Sequence, residues 1–216
     1  MLLPRQATHS PHSPREADLP LVRVVDDEPS IQGLFTRMAT LGGFTVESHL
    51  TARSMLDSLD ESRPGCLVLD LILPDATGIE VLQELANRHS KLPVVFVSGM
   101  ARVSEAVRAL KLGSVDFIEK PFEVADMLAV VRRAIELDAS NRRSELDQDH
   151  LRRRFEELTP REREVMEQIV HGAANKEVAA TLGLSPKTVE VHRANVMRKT
   201  NANSLAELVR MRLAVH

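Results

Sequence analysis

The chain has 216 residues, with 28 Lys and Arg against 31 Asp and Glu, a formal net charge of −3. Hydrophobic residues make up 43% and charged residues 27%, a balance that suits globular domains and excludes wholesale disorder. No run approaches the roughly 18 consecutive apolar residues of a membrane span, and the single cysteine, Cys66, excludes an intrachain disulfide or a multi-cysteine metal cluster. The opening stretch, MLLPRQATHSPHSPREAD, has no apolar core of signal-peptide length, so the expected location is cytoplasmic, away from any membrane. Its three prolines and weak periodicity predict a disordered arm over 1–18.

Residues 19–138 then alternate two periods. The apolar runs LVRVV (21–25), CLVL (66–69), VVFV (94–97) and VDFI (115–118) read as strands, and the alternating FTVESHL (44–50) as an edge strand. Between them Ile31, Leu34, Phe35 and Met38 keep helical spacing, as do Ala52, Met55, Leu56 and Leu59. Ile79, Leu82 and Leu85, then Val103, Val107 and Leu110, and finally Leu128, Val131 and Ile135 mark three more helices. This alternation predicts an α/β fold, a doubly wound five-stranded parallel sheet of flavodoxin-like kind.

Residues 136–157 are mostly charged, with a thin stripe of Leu137, Leu146 and Leu151, and within them 139–156 form the expected linker. They predict a helical linker extending the fifth helix, either a solvated spacer or a dimerising coiled coil. A second, all-α domain of four helices is expected over 157–216. Thr159-Pro160-Arg161-Glu162 is a capping box with proline at the first helical position. A helix over about 175–182, the turn residue Gly183, and a third helix capped by Ser185-Pro186 give a helix-turn-helix. Asn201 to Ser204 break that helix, and Leu205, Leu208 and Val209 mark the fourth.

In a doubly wound sheet the functional crevice lies at the carboxyl ends of the strands. After LVRVV stand Asp26, Asp27 and Glu28; after CLVL, Asp70; after VVFV, Ser98; after VDFIE, Lys120. Crowded carboxylates repel, and a hard divalent cation such as Mg²⁺ relieves that repulsion. Asp70 can then act as a carboxylate nucleophile towards phosphorus. Lys120 can pair with the phosphoryl group and Ser98 can donate a hydrogen bond to it. Taken singly, each of these residues also has a plainer reading as a turn, cap or surface residue; the agreement of four strand ends is what carries weight.

VVDDEPS, LVLDLILPDATG, VVFVSG and GSVDFIEKPF together resemble the motifs of a bacterial response-regulator receiver domain over about 20–139. The resemblance implies that Asp70 is the phosphoacceptor. It also implies that Asp26, Asp27, Asp70 and the backbone carbonyl of Ile72 bind Mg²⁺, and that Ser98 and Lys120 contact the phosphoryl group. It further implies a cis Lys120–Pro121 peptide and a switch pair, Ser98 and Phe117. Ile72 departs from the polar residue common at its position, and an apolar side chain there is expected to alter the lifetime of the phosphate.

In the third helix of the second domain, Lys187, Glu190, Val191, Ala194, Asn195 and Arg198 share one face, opposite Val189 and Val196. The first face offers charge, amide and small apolar groups, which is what a major-groove reader needs; a protein-docking helix is the other possibility. Thr188 and the helix-start amides suit phosphates, while Glu190, Val191 and Asn195 suit base edges. Residues 185–216 carry six Lys or Arg against two Asp or Glu, while 19–139 carry twelve against eighteen. LTPREREVMEQIVHGAANKEVAATLGLSPKTVEVHRANVMRKT closely resembles the LuxR-type helix-turn-helix output domain, over about 157–213. That likeness carries DNA contacts onto Lys187, Thr188, Val191, Arg193, Asn195 and Lys199.

Receiver and output in this order resemble the NarL/FixJ class, with a lean to its FixJ-like subgroup. The resemblance implies a transcription regulator that receives phosphate from a sensor histidine kinase, forms a homodimer when phosphorylated, binds a double-stranded DNA operator and works with RNA polymerase. The expected dimer face is 103–118. A turnover enzyme is not expected: G-x-G-x-x-G, G-x-x-x-x-G-K-[ST] and G-x-S-x-G are absent, and Ile72 stands where a dehalogenase-type phosphatase needs its second acid. The alternative is a phosphorylation-switched adaptor that binds protein instead of DNA.

Overall fold

Strands rich in Val, Leu and Ile with no polar alternation must be covered on both faces, and this sheet is. In the computed structural model, which describes residues 18–99 and 103–215, β1 (Leu21–Val25), β2 (Thr45–His49), β3 (Gly65–Asp70), β4 (Val94–Ser98) and β5 (Asp116–Glu119) form one parallel sheet. The order is β2-β1-β3-β4-β5, so β2 is an edge strand as its alternation predicts. All but Asp18 of the arm expected over 1–18 lies outside the described residues. The register pairs Val25 with Leu69 and Asp70 with Val97, which brings the carboxyl ends of β1, β3 and β4 level.

The helices α1 (Pro29–Gly42), α2 (Ala52–Ser58), α3 (Gly78–Asn87), α4 (Val103–Lys111) and α5 (Val124–Glu156) connect and cover these strands. Phe35 and Met38 of α1 and Met127 and Val131 of α5 pack with Val22, Val24, Val68 and Val95 on one face. Met55, Leu82 and Leu85 pack with Leu67, Leu69 and Phe96 on the other. Val107 and Leu110 do not face the core: they are 44% and 48% exposed, and Ala109 is the α4 residue buried against the sheet. A small side chain allows close helix–sheet contact, so the apolar stripe of α4 faces outward.

The described residues divide into two compact units between Asn141 and Arg142, while α5 runs through that point without a break. The second unit holds α6 (Pro160–Val170), α7 (Asn175–Leu182), α8 (Pro186–Thr200) and α9 (Leu205–Ala214). Its core gathers Val165, Met166, Ile169, Val178, Val189, Val196 and Leu208. The caps follow the expected chemistry. Thr159 Oγ1 accepts from the Glu162 amide at 3.3 Å, and Glu162 returns the bond to the Thr159 amide at 2.9 Å. Ser185 Oγ accepts from the Thr188 amide at 3.1 Å. Between α7 and α8, Gly183 takes φ +65°, the left-handed conformation that turns the chain cheaply only without a Cβ.

Candidate functional site

The carboxyl ends of the parallel strands bring Asp26, Asp27 and Asp70 together, with a carboxylate oxygen from each within 4.8 Å of the others. Asp26 and Asp70 are buried and Asp27 is exposed, so the cluster opens to solvent on one side. Lys120 follows β5, and its amide donates to the Ser98 carbonyl at 2.8 Å. Its Nζ lies 2.7 Å from Asp26 Oδ2, 2.7 Å from Asp70 Oδ2 and 2.9 Å from Glu28 Oε1. The Lys120–Pro121 peptide is cis.

Electrostatics follow from this crowding. Burial pushes the Asp26 carboxyl above its ordinary value, against the pull of its bonds from Lys120 and the Glu28 amide. Burial also works against the Lys120 ammonium, but its bonds to Asp26, Asp70 and Glu28 outweigh that and hold its pKa above the usual lysine value. Three carboxylates on one ammonium, with Asp27 beside them, leave an excess of negative charge. Hard oxygen donors with that excess and an open side fit a small divalent cation.

Each expected site residue can be placed. Ile72 is 57% exposed, and its amide donates to Asp70 Oδ1 at 3.0 Å, which orients the carboxylate. Ser98 is buried at the end of β4. Phe117 is half-buried, its ring stacked on Phe96 with centroids 6.4 Å apart. Two participants had no assigned role in the sequence. Glu28 is the third anion on Lys120, and Gln32 Nε2 donates to the Asp26 carbonyl at 2.9 Å and the His49 carbonyl at 3.2 Å. Glu28 stood beside the aspartates, so its nearness to Lys120 could have been read; the reach of Gln32 depends on the placement of β2 and has no local signal.

The second candidate site is α8. Val189, Val196 and Thr200 are buried, while Lys187, Glu190, Val191, Ala194 and Arg198 are exposed. Thr188, Arg193 and Asn195 are half-buried. Val191 is 56% exposed, an apolar side chain held outward on a polar face. Arg193 Nη1 donates to Asn175 Oδ1 at 3.2 Å, tying α8 to the start of α7. Lys199 departs from the outward group. Its Nζ lies 2.7 Å from the buried Glu162 carboxylate and 3.1 Å from the Glu157 carbonyl. Lys199 thus has a structural task inside the domain, and reaching a phosphate would leave Glu162 buried and unpaired. The bond from Lys199 also holds the Glu162 carboxyl below its ordinary value.

With this geometry in place, likeness to known proteins is informative. Residues 22–132 match the family described as "response regulator receiver domain", and residues 156–212 match "bacterial regulatory proteins, luxR family". The chain is 42% identical over 193 residues to the transcriptional regulatory protein FixJ of Rhizobium meliloti, spanning 89% of this chain and 95% of that protein. It is 32% identical over 191 residues to the response regulator protein TodT of Pseudomonas putida, spanning 88% and 84%. Among solved structures it resembles the response regulator StyR, at 36% identity and a TM-score of 0.79 over 90% of this chain and 98% of that one. Full-length FixJ from B. japonicum aligns with a TM-score of 0.56 at 38% identity, over 91% and 97%. The LuxR-family match favours DNA over protein as the object of the second unit.

Proposed function

The chain belongs to the response regulators that join a receiver domain to a LuxR-type DNA-binding domain, and on that premise we propose that Asp70 is the phosphoacceptor whose modification governs DNA binding through α8. The observation that carries this reading is the single ammonium of Lys120 spanning Asp26 and Asp70 inside a carboxylate cluster at the strand ends. An Asp70 carboxylate oxygen attacks phosphorus, and the P–N bond of a phosphohistidine on a sensor kinase breaks. Asp26, Asp27, Asp70 and the Ile72 carbonyl would hold Mg²⁺, which neutralises charge on the phosphoryl oxygens when bound.

Lys120 then moves from the carboxylates to the phosphoryl group, and Ser98 donates to it from the end of β4. Movement of Ser98 frees space towards Phe117, which rests on Phe96 beside β5. Slow hydrolysis of the acyl phosphate resets the switch, so the protein is not a turnover enzyme. The outward stripe of α4 supplies the face for a phosphorylation-dependent homodimer. The α8 face with Lys187, Thr188, Glu190, Val191, Arg193 and Asn195 meets an operator, Arg193 from its place beside α7. Among the described residues no helix is long and apolar enough to cross a membrane; we place the protein in the cytoplasm, where kinase, DNA and RNA polymerase are its partners.

The test is labelling with a small-molecule phosphodonor, with and without Mg²⁺. Wild type is expected to label only with the metal, and Asp70→Asn not at all while still folding. Labelling of Asp70→Asn to the wild-type level would refute the assignment.

A further inference from the structure

The loop that follows Asp70 folds back on it. The Gly78 amide donates to the Leu71 carbonyl at 2.8 Å, the Leu73 amide to the Ala76 carbonyl at 3.1 Å, and Ile72 bridges to Thr77. Gly78 must be a glycine: a Cβ there would lie 2.6 Å from the Asp70 carbonyl oxygen and 2.7 Å from Phe96. The tip of this loop carries Asp75. Its Oδ1 accepts from the Ala52 amide at 3.0 Å and its Oδ2 from the Arg53 amide at 2.9 Å. These are the first two amides of α2, donors that a helix start leaves without partners. Thr51, the residue that normally caps such a start, takes only the Ser54 amide, at 3.2 Å.

One carboxylate therefore joins two segments that flank the acidic cluster. On the α2 side the chain runs back to His49, whose carbonyl accepts from the Asp26 amide at 3.1 Å. On the other side it runs back to Ile72 and Asp70. Beyond its bonds to the flanking β3 and α3, the 71–77 segment is tied to α2 by Asp75 and to β4 by the Leu71 amide, which donates to the Val97 carbonyl at 3.3 Å. The segment that bears the Ile72 carbonyl is thus held at one end by the sheet and at the other by the Thr77–Glu80 cap of α3, with Asp75 fixing its tip to α2.

We infer that Asp75 is a positioning residue for the metal site: by clamping the β3–α3 loop to the start of α2 it fixes the Ile72 carbonyl and the Asp70 carboxylate in the arrangement that binds a divalent cation. The inference rests on the metal reading proposed above and extends it to a side chain that does not itself touch the cluster. Supporting groups of this kind typically change metal affinity by about tenfold or more when removed.

The test is calorimetric titration of Mg²⁺ into the full chain, with amide exchange read alongside. Asp75→Ala is expected to weaken Mg²⁺ about tenfold and to speed exchange at Ile72 and Gly78. Asp75→Asn keeps the side-chain shape and one acceptor oxygen; it guards against a folding defect and should shift both readouts in the same direction by less. Thr51→Ala removes the other cap of the same helix and should leave both at the wild-type value. Equal weakening by Asp75→Ala and Thr51→Ala would reduce the effect to α2 stability and overturn the proposal, as would unchanged affinity in both Asp75 variants. If wild type itself takes up no Mg²⁺, the metal reading fails and this inference fails with it.

Discussion

Lys120 occupies the carboxylate oxygens that a cation would use, Oδ2 of Asp26 and Oδ2 of Asp70. It therefore stabilises the metal-free fold and, on the metal reading proposed above, competes with the cation. Removing one partner of a buried ion pair costs about 3 kcal/mol, because the remaining charges stay desolvated. Lys120→Ala is accordingly expected to lower the melting temperature in chelator and to bind Mg²⁺ more tightly than wild type, with the metal restoring much of the lost stability. Weaker Mg²⁺ binding in that variant, read by calorimetry, would contradict the competition. The Lys199–Glu162 pair in the second unit is a cleaner pH probe, since no metal intrudes. Lys199 holds the Glu162 carboxyl below its ordinary 4.5, so the native state favours the ionised form. The stabilisation is fully present above about pH 4.5, the unfolded value, and is lost as pH falls through the lower native value. Glu162→Gln should be less stable than wild type at neutral pH by about 2 kcal/mol, and the gap should close in acid; a gap independent of pH would refute it.

At the scale of elements, the features legible in the sequence are those set by short spacings. Caps are written within a turn of chain, which is why the Thr159–Glu162 capping box and the Ser185-Pro186 start of α8 were readable and are present. Buried parallel strands announce themselves as unbroken apolar runs, and the ends of those runs locate Asp26, Asp70, Ser98 and Lys120. Bonds that span long stretches of chain leave no such trace. Asp75 capping α2, Gln32 reaching the His49 carbonyl, and buried Asp138 of α5 accepting from the Gly65 amide at 2.9 Å all depend on packing that periodicity cannot specify. The α4 stripe is legible as a helical face for a related reason, but its direction is not: an apolar face says that something covers it, not whether that something is the same sheet. The caps also bear on function at this scale. Ser185→Ala should cost about 1 kcal/mol of stability in the second unit, by analogy with other N-cap losses, and the Thr188 amide should exchange faster. No change in melting or exchange would mean that the first turn of α8 is held by packing alone.

For the whole molecule, on the reading proposed above, the two sites are joined by arithmetic of valence. One α8 reads one half-site, and two copies held together read two, so association raises the effective concentration of the second contact without any new bond to DNA. The surface available for that association is apolar where a lone monomer gains nothing from it: Val107, Leu110 and Leu112 are 44%, 48% and 42% exposed at and just beyond α4. Leu110→Asp places a charge in that stripe and touches neither the carboxylate cluster nor α8. It should leave phosphodonor labelling of Asp70 at the wild-type rate, because the chemistry needs only one receiver. It should keep the chain monomeric in sedimentation when beryllofluoride mimics the phosphoryl group. Operator affinity should then fall on the order of a hundredfold, the scale of lost bivalency. Lys187→Ala should behave in the opposite way: dimers still form, but one phosphate contact per protomer disappears and the dependence of log K on log salt flattens by about one unit per protomer. If Leu110→Asp still dimerises and binds DNA as wild type does, the stripe is not the interface. If it stays monomeric yet binds the operator undiminished, the receiver controls α8 by some route other than valence.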